Sequence, residues 1–209
     1  MSKIYSIKEI YYTLQGEGFH TGRPAVFCRF SGCNLWTGRE EDRENAICQF
    51  CDTEFVGTDG VNGGKYNAAE LVIQIKSLFP GPDCFVVCTG GEPGLQIDED
   101  LVTAFHESNI EIAIETNGTV ALPKGIDWIT MSPKANTEIL ITEGNELKIV
   151  YPQSDIHPSE VEKYQFEQFY IQPMDGPELE KNMEQSIQFV KENPKWKLSV
   201  QTHKQIGIL

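Results

Sequence analysis

Three cysteines near the N-terminus have the residue type and spacing of metal ligands. Fourteen residues separate Cys33 from Cys48, and Cys48-Gln-Phe-Cys51 forms a close pair. A metal site closed by protein alone usually takes four Cys or His ligands. Three thiolates can instead hold a [4Fe–4S] cluster whose fourth iron is open to a substrate or cofactor. The spacing suits an open cluster, and a closed zinc site with a histidine ligand is the alternative.

The other three cysteines have a different setting. Cys28, Cys84 and Cys88 lie in the apolar runs AVFCRF and CFVVCT, so we expect small buried thiols. One of them could complete a four-cysteine iron–sulfur centre only by leaving the interior of a strand. The N-terminal residues MSKIYSIKEIYY lack the features of a secretion signal. Free thiols and metal ligands are therefore expected rather than disulfides.

Apolar and β-branched enrichment predicts the strands that must position these residues. The predicted strands are residues 4–10, 24–30, 84–89, 110–115, 127–131, 146–151, 166–171 and 197–201. The clearest helix follows Asn67, which forms a predicted capping box with Glu70, and Pro80-Gly81 ends it. Further helices are predicted at about 98–108 and 178–193.

Alternating strands and helices favour a parallel sheet with right-handed crossovers. Small, polar and chargeable residues follow the predicted strands, and parallel barrels build active sites at such carboxyl ends. A complete eight-unit barrel needs about 250 residues, more than the 209 present. We predict an α/β fold: a partial, open TIM-like barrel of about six mostly parallel strands with few helices. It would form a single domain, 1–209, with a cluster-binding loop at about 31–56.

Composition limits the classes of partner. The net charge of −14 and the pI near 4.7 argue against nucleic acid, because its phosphates attract basic surfaces. No segment approaches the roughly 18 consecutive apolar residues of a membrane-spanning helix. We therefore expect a soluble, cytoplasmic protein without a membrane or nucleic-acid partner.

Several segments together resemble one enzyme family. A three-cysteine loop followed by Thr-Gly-Gly-Glu-Pro is similar to the radical S-adenosylmethionine (SAM) superfamily. Within that superfamily the chain resembles the 7-carboxy-7-deazaguanine synthase family of queuosine and 7-deazaguanine biosynthesis, some members of which carry C-x14-C-x2-C rather than C-x3-C-x2-C. The matching segments are YYTLQGEGFHTGRPAVFCRFSGCNL, CQFCDT, VVCTGGEP, ETNGT, SPK, ELKIV, FYIQPMDG and SVQTHK, in this order. The charged, turn-like insertion at 34–47 is expected to project into solvent.

The resemblance implies ligands for three cofactors. Cys33, Cys48 and Cys51 would hold the [4Fe–4S] cluster, SAM would be the fourth ligand, and Thr53 would bind Mg²⁺. No catalytic side chain is assigned beyond the cluster and SAM. In the Thr-Gly-Gly-Glu-Pro motif, glycines would admit the backbone close to SAM and the Glu would meet its ammonium group. The implied SAM-binding residues are Phe50, Gly90, Gly91, Glu92, Asn117, Ser132 and Lys134.

The substrate that the resemblance implies is 6-carboxy-5,6,7,8-tetrahydropterin, which has a guanidine-like donor edge and a carboxylate. Gln15 and Glu17 suit the donor edge, since a carboxylate accepts two parallel N–H bonds. Arg29 closes an apolar strand and needs a buried partner, which could be the substrate carboxylate or an Asp or Glu of the chain. The remaining implied substrate-binding residues are Thr89, Gln172 and His203.

The implied activity is that of a lyase. The reduced cluster would cleave SAM, a substrate hydrogen would be abstracted, and ring contraction would release ammonia to give 7-carboxy-7-deazaguanine. Flavodoxin or ferredoxin as electron donor and a homodimer are further family expectations. A glycyl-radical enzyme activase and a zinc-stabilised binding module are the alternatives. The chain ends in Gly-Ile-Leu where relatives often have proline, so we assign no role to the carboxylate of Leu209.

Overall fold

A nine-stranded sheet dominates the computed structural model, in which residues 2–208 are described, so Leu209 lies outside the described residues. Its order, within those residues, is β3-β1-β2-β4-β5-β6-β7-β8-β9. The strands are β1 (Tyr5–Leu14), β2 (Pro24–Phe30), β3 (Gly64–Tyr66), β4 (Cys84–Gly90), β5 (Ile110–Thr116), β6 (Trp128–Met131), β7 (Glu143–Tyr151), β8 (Gln165–Pro173) and β9 (Lys197–Leu198).

The helices begin where the sequence supplies caps. The Asn67 side chain accepts from Glu70 N and the Glu70 side chain accepts from Asn67 N, which completes the predicted capping box. The Asp98 side chain likewise accepts from Leu101 N at 3.0 Å. The helices are α1 (Ala68–Leu78), α2 (Glu99–Glu107), α3 (Pro158–Val161), α4 (Leu179–Glu192) and α5 (Thr202–Ile206), and short 3-10 helices span Glu40–Asn45 and Pro93–Leu95.

The sheet is open and mostly parallel, but larger than expected. Within residues 2–208, β2 and β4 to β9 pair in parallel, whereas β1 pairs antiparallel with both β2 and β3. The estimate of about six strands with few helices is not confirmed. It omitted β3, whose Gly-Lys-Tyr sequence has no apolar alternation. The last predicted strand, 197–201, is reduced to β9 because the chain turns into α5 at Thr202.

The two faces of the sheet differ in polarity. On one face, Val26, Cys28 and Phe30 of β2 join the apolar core beneath α1 and α2. The alternate residues Ala25, Phe27 and Arg29 belong to the other face. That face is apolar near the strand starts, with Ala25, Phe85 and Ala113 in one cluster, and becomes polar toward the carboxyl ends. A second helix-covered core surrounds Trp196. The polar carboxyl ends are therefore supported by packed apolar layers.

None of the helices within residues 2–208 is both long and apolar enough to cross a membrane.

Candidate active site

Two adjoining cavities lie at the carboxyl ends of the parallel strands. The first, of about 170 Å³, is lined by the three clustered cysteines, and we call it the thiol lobe. The second, of about 430 Å³, lies beneath the Gln15–Glu17 turn, and we call it the polar lobe. The two lobes share a wall made of Asp52, Thr53, Thr89, Glu115, Ser132, Val150, Gln172 and Gln201. They therefore form a single cleft.

Cys33, Cys48 and Cys51 all face the thiol lobe, and none is in a disulfide. Burial raises the pKa of the Cys33 and Cys48 thiols. Among the described residues, no three Cys, His, Asp or Glu side chains are arranged around a single ion. The donor set of three free thiols around one cavity suits a cluster, because each thiolate can bind a different iron atom.

The 34–47 insertion projects into solvent only in part. Its 3-10 helix has no buried residue, as expected for a charged segment. Leu35 and Trp36, however, are buried and line the thiol lobe. The Trp36 ring packs edge-on against Phe55, with the ring centres 5.6 Å apart. Apolar side chains from the insertion thus form one wall of the cavity.

Gly90 and Gly91 allow β4 to pack against the cysteine loop. A Cβ on Gly90, whose φ is 138°, would lie 2.2 Å from Phe30 O. A Cβ on Gly91 would lie 2.1 Å from Gly32 O and 2.8 Å from the Cys33 Cβ. These distances exclude a side chain at either position. The glycines are therefore needed for the position of Cys33, whether or not they also approach a cofactor.

Glu92 is fully buried behind the wall of the thiol lobe. Its carboxylate accepts hydrogen bonds from Gly94 N at 2.8 Å, Thr116 Oγ1 at 2.8 Å and Asn117 N at 2.7 Å. Burial raises the pKa of Glu92, and these hydrogen bonds oppose the increase. In this structure Glu92 orders the end of β5, and its contact with a SAM ammonium group stays a prediction.

The other predicted SAM-binding side chains do line the thiol lobe. They are Phe50, Asn117, Ser132 and Lys134. Lys134 Nζ donates to Ser132 O at 2.7 Å and Ser132 Oγ at 2.8 Å, and it lies 5.9 Å from the centre of the Phe50 ring. Burial lowers the pKa of Lys134, while the neighbouring Cys48 and Cys51 oppose the decrease. The structure brings these four residues together with the three thiols.

An ion network around the buried Lys148, with largely buried carboxylates, forms the floor of the polar lobe. Lys148 Nζ lies 2.6 Å from Glu17 Oε2 and 3.1 Å from Glu115 Oε2. Gln201 Nε2 donates to Glu17 Oε1 at 3.0 Å, and Gln15 Nε2 donates to Glu115 Oε1 at 3.3 Å. Burial raises the pKa of Glu17, but Lys148 and Gln201 outweigh burial and lower it to about 2. For Glu115, burial prevails over Lys148 and the pKa is raised.

Glu146 extends this network below the cleft. Its Oε2 accepts from Phe19 N at 3.0 Å, and a Cβ on Gly18 would meet its Oε1. Burial raises the pKa of Glu146 to about 7 despite the charge of Lys148. Gly18 N donates to Ser199 Oγ at 2.9 Å, and Thr202 N donates to Gly16 O at 3.0 Å. The Gln-Gly-Glu-Gly turn is thus fixed by residues from the far end of the chain.

Arg29 lines the polar lobe and has partners within the chain. Its Nε donates to Glu9 Oε1 at 2.8 Å, and its Nη2 donates to Tyr11 Oη at 3.0 Å. Of the two partners allowed by the sequence, the ion pair within the protein is the one present here. Burial lowers the pKa of Arg29, but Tyr11 and Glu9 reverse the effect and raise it overall.

The remaining predicted residues also reach the cleft. Thr53, Thr89 and Gln172 lie in the shared wall, and Gln172 Oε1 accepts from Ser199 Oγ at 3.1 Å. His203 lines the polar lobe against Gly16, where an added Cβ would lie 2.1 Å from His203 Nδ1. Burial lowers the pKa of His203. The roles in Mg²⁺ and substrate binding stay predictions.

Several charged residues of the cleft have no role in the predicted site. Glu115 and Lys148 occur inside the segments ETNGT and ELKIV, and their charge within otherwise apolar strands was the available signal. Lys204 Nζ lies 2.6 Å from Asp52 Oδ2 and 2.5 Å from Asp175 Oδ2, which ties α5 to two loops at the mouth of the cleft. No sequence pattern indicates that pairing.

Comparisons with known proteins agree with the architecture. No family model matches the chain. A curated protein from Burkholderia multivorans, 7-carboxy-7-deazaguanine synthase, is 56% identical over 207 residues and aligns with 98% of this chain and 99% of that protein. Proteins of the same name from Caulobacter vibrioides and Nitratidesulfovibrio vulgaris are 53% and 50% identical, with equal coverage. The crystal structure of QueE from Escherichia coli has a similar fold, with a TM-score of 0.71 at 24% identity over 96% of this chain and 95% of that one.

Proposed function

The chain belongs to the 7-carboxy-7-deazaguanine synthase family, and we propose that it converts 6-carboxy-5,6,7,8-tetrahydropterin to 7-carboxy-7-deazaguanine with release of ammonia. The observation that carries this proposal is the single cleft in which three free thiols face a buried ion network across a shared wall. The thiols alone would indicate only a metal centre, and the ion network alone would indicate only a binding site for a polar ligand. The combination suits a polar substrate held beside an iron–sulfur cofactor.

The residues of the thiol lobe suit the implied cofactors. Cys33, Cys48 and Cys51 would hold the [4Fe–4S] cluster, and Thr53, with a hard hydroxyl oxygen in the shared wall, would bind Mg²⁺. Phe50, Asn117, Ser132 and Lys134 would line the SAM site. When bound, the reduced cluster and SAM supply a radical that abstracts hydrogen, and Mg²⁺ supplies a cation that grips substrate oxygens.

In the polar lobe, the chain's own groups would orient the substrate. Glu17 is held ionised by Lys148 and Gln201, so it can accept N–H bonds from the guanidine-like edge of a pterin. Gln15 lies beside it and adds an amide to the same edge. Arg29 would share its guanidinium between Glu9 and the substrate carboxylate. Preorganised partners of this kind reduce the cost of fixing one substrate orientation.

The apolar part of the thiol lobe would limit access of water to reactive species. Leu35, Trp36 and Phe55 are buried side chains in its lining. Exclusion of water suits radical chemistry, because it prevents side reactions of the intermediates. We also propose a single domain 1–209 and a cytoplasmic location from length and composition, and, from the family resemblance, a homodimer and a flavodoxin or ferredoxin as electron donor.

The decisive experiment is turnover by the reconstituted protein. Anaerobically reconstituted, reduced protein with SAM, Mg²⁺ and 6-carboxy-5,6,7,8-tetrahydropterin should form 7-carboxy-7-deazaguanine, detected by liquid chromatography and mass spectrometry. Absence of this product from a preparation with a full cluster would refute the proposed reaction. Thr53→Ala should lose the activation by Mg²⁺, whereas Thr53→Ser should keep it. A Thr53→Ala enzyme with an unchanged Mg²⁺ response would remove only the magnesium assignment.

A further inference from the structure

The insertion between Cys33 and Cys48 is a closed loop with internal structure. Leu35 O accepts from Ile47 N at 3.1 Å and from Cys48 N at 3.3 Å, so the two ends of the insertion are bonded to each other. Between them lies the 3-10 helix Glu40–Asn45. These hydrogen bonds fix the position of Cys48 relative to Leu35. The fourteen residues therefore have a structural role besides connecting the two cysteines.

Arg43, on that helix, binds the backbone of the Cys48–Cys51 turn. Its Nη1 donates to Gln49 O at 2.8 Å and to Cys51 O at 3.0 Å. One guanidinium nitrogen thus bridges two carbonyl oxygens of the turn that carries two of the three thiols. The bond to the Cys51 carbonyl restrains a residue whose side chain faces the thiol lobe.

The position of Arg43 is itself fixed on two other sides. Its Nε and Nη2 donate to the two carboxylate oxygens of Glu40 at 2.7 and 2.9 Å. Its guanidinium carbon lies 4.1 Å from the centre of the Trp36 ring, in cation–π geometry. A planar guanidinium can satisfy the carboxylate, the ring and the two carbonyls together, and a lysine ammonium cannot.

We propose that Arg43 is a positioning residue for the iron–sulfur cluster: it holds the Cys48–Cys51 turn in its binding conformation and fixes a positive charge beside it. This inference rests on the proposed function, since it requires a cluster on Cys33, Cys48 and Cys51. Groups that orient metal ligands without binding the metal commonly change metal affinity 10–100-fold when removed. A fixed charge next to a cluster also shifts its reduction potential.

The test compares Arg43→Gln, Arg43→Lys and Arg39→Gln in the reconstituted full-length protein. Arg39 is the matched control, because it lies in the same insertion and carries the same charge on an exposed residue. Two quantities are measured anaerobically: the rate at which a chelator removes iron, and the midpoint potential of the cluster by redox titration followed with electron paramagnetic resonance. Circular dichroism of each variant reports whether the fold is kept.

We expect Arg43→Gln to lose iron about 10–100-fold faster than wild type, and its cluster to have a lower midpoint potential. Arg43→Lys should lose iron at an intermediate rate with a potential near that of wild type, since it keeps the charge but not the geometry. Arg39→Gln should match wild type in both. If Arg43→Gln does not fold, the iron-release rate of Arg43→Lys decides the question.

Two results would overturn the inference: equal iron release and potential in wild type and both Arg43 variants, or equal changes in Arg39→Gln and Arg43→Gln. Neither result affects the proposed reaction. Conversely, a wild-type protein that binds a full cluster but forms no 7-carboxy-7-deazaguanine would refute the proposed reaction and leave the role of Arg43 standing.

Discussion

The two lobes of the cleft are held in place by different interactions. In the thiol lobe, three thiols face the cavity from a loop, and backbone packing at Gly90 and Gly91 sets the position of that loop. In the polar lobe, charged side chains on strands neutralise one another through Lys148. The charged groups of the polar lobe thus find partners within the chain, whereas the thiol lobe, if the proposed function holds, is completed by a bound cofactor.

This contrast predicts that substitutions in the thiol lobe will abolish cofactor binding and spare the fold. Cys33→Ser removes one of three thiolates, so the reconstituted protein should lose nearly all cluster iron and all activity. Iron and sulfide analysis with a visible spectrum provides the measurement. Cys88→Ala, which removes a buried thiol outside both lobes, is the control and should keep its iron. A full cluster in Cys33→Ser would contradict the assignment of the thiol lobe.

A substitution in the polar lobe should instead weaken the fold. Lys148→Met leaves the largely buried carboxylates of Glu17 and Glu115 without their cation, so the free energy of unfolding should fall by about 3 kcal/mol in denaturant titrations. Lys8→Met is the matched control: Lys8 is also buried, but its partners Glu54 and Asp59 are exposed. That change should cost only about 1 kcal/mol. Equal losses in the two variants would refute the idea that buried partners make the difference.

The pH dependence of stability should distinguish two carboxylates of the same network. Glu146 has its pKa raised from 4.5 to about 7, so the folded state retains its proton more strongly than the unfolded state. Its contribution to stability is therefore complete below pH 4.5 and is lost as the pH rises to about 7, by up to about 3 kcal/mol. Glu17, with its pKa lowered to about 2, has the opposite sign and loses its contribution as the pH falls below 4.5.

Glu146→Gln tests this assignment. As the pH rises from 4.5 to 7, the free energy of unfolding of the wild type should fall relative to that of the variant. Chemical denaturation at several pH values measures it. A difference that stays constant over this interval would show that Glu146 titrates normally in the folded protein.

The smallest effect is expected where both lobes meet solvent. Lys204→Ala removes the ion pairs to Asp52 and Asp175, but all three side chains are substantially exposed. Exposed pairs contribute about 0–1 kcal/mol, so thermal unfolding should change little. Lys181→Ala, which removes the exposed pair to Glu178, provides the reference. If Lys204→Ala instead lowered the free energy of unfolding by several kcal/mol, the contact of α5 with Asp52 and Asp175 would be important for the stability of the fold.

The sequence predicted elements whose stability is local. The apolar runs located eight of the nine strands of residues 2–208, and the Asn67–Glu70 capping box located the start of α1. β3 was missed because its three residues form a strand only through pairing of Tyr66 with Tyr5 and Gly64 with Ile7. The Gly-Lys-Tyr sequence by itself does not indicate that this segment pairs with β1.

The site shows the same limit. The cysteines were identifiable because residue type and spacing are visible in the sequence. The ion network was not, because it depends on register: Glu115 pairs with Thr130 and Thr130 with Glu146, which places charges from β5 and β7 on one face. Glu92 illustrates the converse, since its motif suggested a ligand contact and the fold supplies three internal donors.

The Gln-Gly-Glu-Gly turn has a consequence for synthesis on the ribosome. Gln201 donates to Glu17, Gly18 donates to Ser199 and Thr202 donates to Gly16, so each hydrogen bond joins residues more than 180 positions apart in the chain. Nascent chains fold as they emerge, and contacts between residues this distant form late. The turn therefore remains without these partners until residues 199–202 have left the exit tunnel, long after the turn itself has emerged.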